Sequence, residues 1–152
     1  VTWCSKIGLE RVILFCDTSA LIKLFIREPH SDQMQQVSSQ ADVIAVCRIA
    51  WAEAMAALAR RQREDPISGE ALERARQRLI TSWPSFCIVE VSQSLVESAG
   101  RLADGFALRA YDSVQLAAAR ELHITTALPL SFASYDRRLN QAAQLLQLEV
   151  LP

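Results

Sequence analysis

Four carboxylates stand apart from the other acids of this 152-residue chain because of what surrounds them. Glu53 is the only charge between Arg48 and Arg60, in Ile49-Ala50-Trp51-Ala52-Glu53-Ala54-Met55-Ala56-Ala57-Leu58. On a helix, the residues four positions away, Ile49 and Ala57, share its face. A carboxylate on an apolar face is costly without a counter-charge. A bound cation would remove that cost, and so would an arginine in a buried salt bridge. Asp112 repeats the pattern, with Leu108 and Leu116 four residues to either side; its plainer reading is a first-turn acid favoured by the helix dipole. Asp17 ends the apolar run Val12-Ile13-Leu14-Phe15-Cys16, and Asp136 follows the run Pro129–Ala133. Ligands of open α/β sheets bind at such strand ends, although each of these acids could equally cap a helix. Four carboxylates without a nearby histidine or cysteine make a hard, oxygen-only donor set that suits Mg²⁺ or Mn²⁺. A cation held there could activate water for in-line attack at phosphorus.

These positions must be held by a scaffold, and the sequence outlines one. Continuous apolar runs suit strands covered on both faces: Val12–Cys16, Asp42–Val46, Phe86–Val89 and Pro129–Ala133, with a short last strand over Leu148–Leu151. Between them lie helical patterns. The first runs from Ala20 to about Arg27, capped by Thr18 or Ser19 and closed by Pro29, and the second spans Ser31–Gln40. Further helices span Arg48–Arg63, Ser68 to just before Pro84, Ser92–Phe106, Arg109–Leu122 and Asp136–Leu146. Strands alternating with helices predict an α/β domain, three-layered α/β/α, around a mostly parallel sheet of four to five strands. A helical hairpin inserts around residues 48–83. It carries arginines at 60, 61, 63, 74, 76 and 78, the expected place for phosphate or partner contacts. Residues 12–152 read as a single domain, and 1–11 as an N-terminal extension with no assigned role.

The bulk numbers narrow the function classes. A formal net charge of −1 argues against a simple basic nucleic-acid coat protein but not against a nuclease, since the remainder is +3 once the four carboxylates are set aside. Of the basic residues only Lys6 and Lys23 are lysines; the rest are arginines, whose planar fork matches phosphate oxygens. Cys4, Cys16, Cys47 and Cys87 form no C-x-x-C pair and read as buried free thiols in a reducing cytoplasm. His30 and His123 lack zinc-ligand spacing. No stretch approaches the ~20 apolar residues of a membrane span, and Glu10-Arg11 before Val12–Phe15 does not suit a signal peptide.

Asp17-Thr18-Ser19-Ala20-Leu21, the lone Glu53 in its alanine-rich helix, Leu108-x-x-x-Asp112-Ser113-x-Gln115-Leu116-Ala117-x-Ala119, and Phe132-x-Ser134-x-Asp136-x-x-Leu139 together resemble the four motifs of PIN domains. Their order and spacing are more narrowly similar to VapC-type toxins of toxin–antitoxin pairs, over about Val12 to Leu151. The resemblance implies a Mg²⁺- or Mn²⁺-dependent endoribonuclease whose catalytic and metal-binding acids are Asp17, Glu53, Asp112 and Asp136. It makes Ser134 the small hydroxyl residue two positions before the fourth acid, with Thr18 a further accessory residue. It also implies an RNA substrate, a cognate antitoxin and a homodimer. A glycine common in relatives near the last strand is absent from Gln141–Gln147. Two other readings compete. One is a non-catalytic PIN-like protein-binding module, which the presence of all four acids disfavours. The other is aspartate-based phosphotransfer on Asp17, disfavoured because Ser19 stands where a second aspartate would be needed and no glycine loop cradles a phosphate.

Overall fold

The computed structural model describes residues 11–151. Apart from Arg11, the expected N-terminal extension lies outside the described residues. Five strands, β1 (Ile13–Cys16), β2 (Val43–Cys47), β3 (Cys87–Val89), β4 (Leu130–Ala133) and β5 (Glu149–Leu151), form one sheet in the order β3-β2-β1-β4-β5. All four pairings are parallel. Seven α-helices connect them: α1 (Thr18–Ile22), α2 (Ser31–Ser39), α3 (Ala50–Glu64), α4 (Gly69–Ser82), α5 (Gln93–Phe106), α6 (Ala110–Thr126) and α7 (Arg137–Leu145).

Alternation along the strands explains their continuous apolar character. Ile13 and Phe15 of β1 face a core built with α5, α6 and α7, including Leu95, Leu116, Leu122 and Leu139. Leu14 and Cys16 face the other way, into a second core with Leu21, Met34, Leu58 and Leu79 from α1 to α4 and with Trp83 just after α4. Both faces of the sheet are thus covered, giving the three expected layers, and each β1 side chain is buried. Phe15 and Phe132, register partners on β1 and β4, stack with ring centroids 5.9 Å apart. The hairpin of α3 and α4 contributes one apolar seam, Ala54, Leu58, Leu72, Ala75 and Leu79, to the second core.

Two expectations need correction. The first helix ends at Ile22 rather than near Arg27; residues beyond it continue as turns, with Lys23, Leu24 and Phe25 amides bonded to carbonyls three residues back. Such bonds tighten a helix end into 3₁₀-like geometry. Cys16 and Cys47 are buried free thiols, but Cys87 is disulfide-bonded, and Cys4 lies outside the described residues. The expectation of free thiols therefore holds for Cys16 and Cys47 and not for Cys87. Among the described residues no helix is long and apolar enough to cross a membrane.

Candidate active site

The strand order has a functional consequence. From β1 the chain moves to β2 and β3 on one side, then returns to place β4 and β5 on the other. The order therefore reverses between β1 and β4, and a crevice at the carboxyl ends of such a pair is where open α/β sheets bind ligands. Asp17 follows β1, and Ser134 and Asp136 follow β4. Glu53 lies in the first turn of α3 and Asp112 in the first turn of α6. All four acids thus sit at helix starts, where the positive end of the helix dipole eases the placement of negative charge.

Asp17 is 4% exposed. Its Oδ1 accepts from the Ser19 hydroxyl (2.7 Å) and the Ala20 amide (2.9 Å), and its Oδ2 from the Ser134 hydroxyl (2.7 Å). Asp17 itself is therefore the α1 cap, not Thr18 or Ser19. Ser134 joins the two strand ends: its Oγ also accepts from the Asp136 amide (3.0 Å), while the Asn140 side chain holds its carbonyl (2.9 Å). Ser19 accepts from the Tyr135 amide (2.9 Å) and so clamps the same loop. Asp136 is exposed and caps α7 through the Leu139 amide (2.9 Å). Glu53 is half-buried, and its Oε1 accepts from the Thr18 hydroxyl (3.0 Å) and the Gln115 side-chain amide (2.8 Å). Asp112 is half-buried, and its carboxylate takes part in no side-chain hydrogen bond or ion pair among the described residues.

The acids sense one another. Burial pushes the Asp17 carboxyl up to about 6, against the pull of its three hydrogen bonds, and the charge of Asp112 adds to the rise. Asp112 is raised too, first by burial and then by Asp136, with Arg109 pulling it back. None of the ion pairs among the described residues includes any of the four. Four acids around the switch point of a parallel sheet, none of them in an ion pair among the described residues, accompany a sequence match to the PIN domain over residues 14–145. The chain belongs to the PIN-domain family. It is 30% identical over 141 residues to Ribonuclease VapC45 of Mycobacterium tuberculosis (strain CDC 1551 / Oshkosh), spanning 92% of this chain and 95% of that protein. Its fold is similar to that of M. tuberculosis VapC20, described as a sarcin-ricin loop cleaving toxin, with TM-score 0.62, 16% identity, and 85% and 94% of the two chains covered. It is also similar to a chain of a toxin–antitoxin complex from Klebsiella pneumoniae, with TM-score 0.58, 23% identity, and 81% and 86% covered.

Two residues of this PIN domain's site are not singled out by the sequence as site residues: Ser19 and Gln115, both present only as members of motifs. Gln115 lies three residues after Asp112, hence on the same helix face, and that spacing was the available signal. The hairpin arginines turn out differently from expectation. Arg60 pairs with Glu64, Arg61 with Glu28, Arg74 with Glu70 and Arg76 with Glu73. Arg78 donates to the Leu24 and Phe25 carbonyls (3.2 and 3.4 Å). These five are engaged with the chain's own acceptors, although Arg60 and Arg74 stay largely exposed in their pairs, and such surface pairs are weak.

Whether the PIN-domain acids suit a cation rests on their surroundings. The donors are oxygens throughout, as a hard divalent ion requires. Beside them the Gln115 Oε1 is buried with no hydrogen-bond partner, an acceptor left for a donor that the described residues do not supply. Among the described residues, however, no three His, Cys, Asp or Glu side chains are gathered tightly enough to hold an ion as they stand. The fit therefore rests on donor chemistry rather than on a preformed cage. Asp17 and Glu53 are held by neutral donors and Asp136 by the Leu139 amide, so the carboxylates keep their full negative charge for a cation. The residues fit.

Proposed function

We propose that this PIN domain is a divalent-metal-dependent endoribonuclease, the toxin of a toxin–antitoxin pair restrained by a cognate antitoxin. The observation that carries the reading is a set of four carboxylates at the β1/β4 switch point with no basic side chain paired to any of them. A chain that only needed stable folding would gain from cancelling those charges; keeping them bare suits a cation and the phosphodiester it attracts. The names of the curated relatives support RNA as substrate, and the toxin–antitoxin complexes among the similar folds support a protein partner. A homodimer and a cytoplasmic location belong to the same proposal and rest on the family resemblance.

In this reading Asp17 and Asp112 are the main ligands of Mg²⁺ or Mn²⁺, with Glu53 and Asp136 completing the set or accepting a proton from the attacking water. When bound, the cation supplies a Lewis acid for the phosphoryl group and a lowered pKa for water. The protein holds Asp17 through Ser19, Ala20 and Ser134, holds Glu53 through Thr18 and Gln115, and leaves Asp112 to adjust. Ser134 and Thr18 act as positioning residues: Ser134 fixes Asp17 and the loop carrying Asp136, and Thr18 fixes Glu53.

The test is cleavage of total RNA by the purified chain freed of any co-purifying partner, with Mg²⁺ or Mn²⁺ and with chelator. Cleavage that needs the cation and disappears in Asp17→Asn supports the proposal. Cleavage that survives chelation in the Asp17→Asn/Asp112→Asn double variant overturns it.

A further inference from the structure

Gln115 is 2% exposed in a run of alanines and leucine on α6. Its Nε2 donates to Glu53 Oε1 at 2.8 Å and to Thr18 Oγ1 at 3.0 Å, and the Thr18 hydroxyl donates on to the same Glu53 oxygen at 3.0 Å. The amide is oriented with nitrogen toward the carboxylate because the reverse would press two acceptor oxygens together. Three elements that are far apart in the chain, α1, α3 and α6, are thus closed into a triangle around one carboxylate oxygen. Both amide hydrogens of Gln115 are used. Glu53 Oε1 is doubly occupied, while Glu53 Oε2 accepts nothing among the described residues.

We propose that Gln115 is the positioning residue that prepares Glu53 for the cation, by saturating Oε1 and leaving Oε2 as the single oxygen that can take a ligand. The inference rests on the metal-dependent reading above and adds to it a residue and a geometry. The chemistry of the amide is what makes it suitable. An arginine or lysine at this position would also orient Glu53, but it would cancel the charge on which cation binding depends. A neutral donor pair fixes the carboxylate and leaves its full charge in place. A buried carboxamide also brings an acceptor: the Gln115 Oε1 has no donor within the described residues.

The experiment is titration of the intact, chelator-stripped protein with Mn²⁺ in the absence of RNA, followed by calorimetry or by the spin-resonance signal of free Mn²⁺. The variants are Gln115→Met, which keeps the length and loses the hydrogen bonds, Thr18→Val, Glu53→Gln, and the double variant Gln115→Met/Glu53→Gln. Removing an outer-shell partner of a metal ligand lowers affinity about 10–100-fold, and that loss is expected for Gln115→Met, with a smaller loss for Thr18→Val. Because Gln115 acts through Glu53, the double variant should bind Mn²⁺ no more weakly than Glu53→Gln alone. A folded Gln115→Met protein with wild-type affinity overturns the proposal, as do single-variant losses that multiply in the double variant. If Gln115→Met does not fold, Thr18→Val carries the same comparison with Glu53→Gln, and the same two outcomes decide it. Failure of the wild type to bind Mn²⁺ overturns both this proposal and the reading beneath it, whereas normal wild-type binding with an inert Gln115 overturns this one alone.

Discussion

Around the carboxyl ends of β1 and β4, Asp17, Asp136 and the nearby Glu53 are held by hydroxyls, backbone amides and one carboxamide, Asp112 by no side-chain hydrogen bond, and none of the four has an ion-pair partner among the described residues. On the α3–α4 hairpin, arginine after arginine meets a glutamate. The contrast is sharpest at Glu28. Its side chain is 9% exposed, and it accepts from the Lys23 ammonium at 2.8 Å and from Arg61, so one buried acid ties the end of α1 to α3. Glu28 and Asp17 are both buried carboxylates of one small domain. One is charge-matched and serves the fold; the other is charge-bare and is a cost to the fold. Where a protein keeps a buried charge uncancelled, it is kept for something that binds there.

The comparison predicts opposite outcomes for similar substitutions. The largest effect is on chemistry. Asp112→Asn should lower RNA cleavage by roughly a thousandfold or more, because losing a ligand carboxylate forfeits several kcal/mol of transition-state stabilisation; a rate within tenfold of wild type, measured on a labelled RNA, would remove Asp112 from the machinery. Next comes Glu28→Gln. It leaves the nearly buried Lys23 without its counter-charge, and breaking a buried pair in this way costs about 3–5 kcal/mol. Denaturant unfolding should register that loss, while cleavage per folded molecule stays close to wild type. Asp17→Asn should do the reverse. The rise of its carboxyl from the ordinary 3.8 to about 6 corresponds to on the order of 3 kcal/mol held against the fold at neutral pH. The metal-free variant should therefore be more stable than the metal-free wild type while being inactive. Adding Mn²⁺ should stabilise only the wild type. Equal destabilisation by Glu28→Gln and Asp17→Asn would erase the distinction between the two regions.

Much of this was legible in the sequence, for reasons that differ by residue. The strands were readable because both faces of the sheet are covered, so Ile13 to Cys16 could be apolar without interruption. Asp17 and Asp136 were readable as strand-end acids and also as caps, and they are caps of α1 and α7. Glu53 and Asp112 stood out as lone charges on apolar faces. What the sequence hid is what depends on distance in space. The Gln115–Thr18 bond spans 97 residues and the Arg61–Glu28 pair spans 33, so neither leaves a local pattern. Only the pairs within one helix, such as Arg60–Glu64 and Arg74–Glu70, have the four-residue spacing that reading along a chain detects. The position of β4 beside β1 was hidden in the same way, and with it the switch point.

The finest test of the comparison is its pH dependence. Asp17 titrates at about 6 in the folded chain and near the ordinary 3.9 when unfolded, so the folded state binds more protons between those values. Stability then falls as pH rises through that window, and the contribution is fully lost above about pH 6. Melting of the metal-free wild type and of Asp17→Asn, measured from pH 4.5 to pH 7.5, isolates Asp17 together with its coupling to Asp112, because the titrations not coupled to it are common to both. The gap between the two should be small at the acid end, widen up to about pH 6 and then level off. Saturating Mn²⁺ should close or invert it, since the ion binds the deprotonated form. A gap that is constant across the range would mean that Asp17 is not the strained acid of this site, and that the cost of bare charge lies with Asp112, which is raised by burial and by Asp136. The same pair of curves on Asp112→Asn would then show the slope that Asp17→Asn lacks.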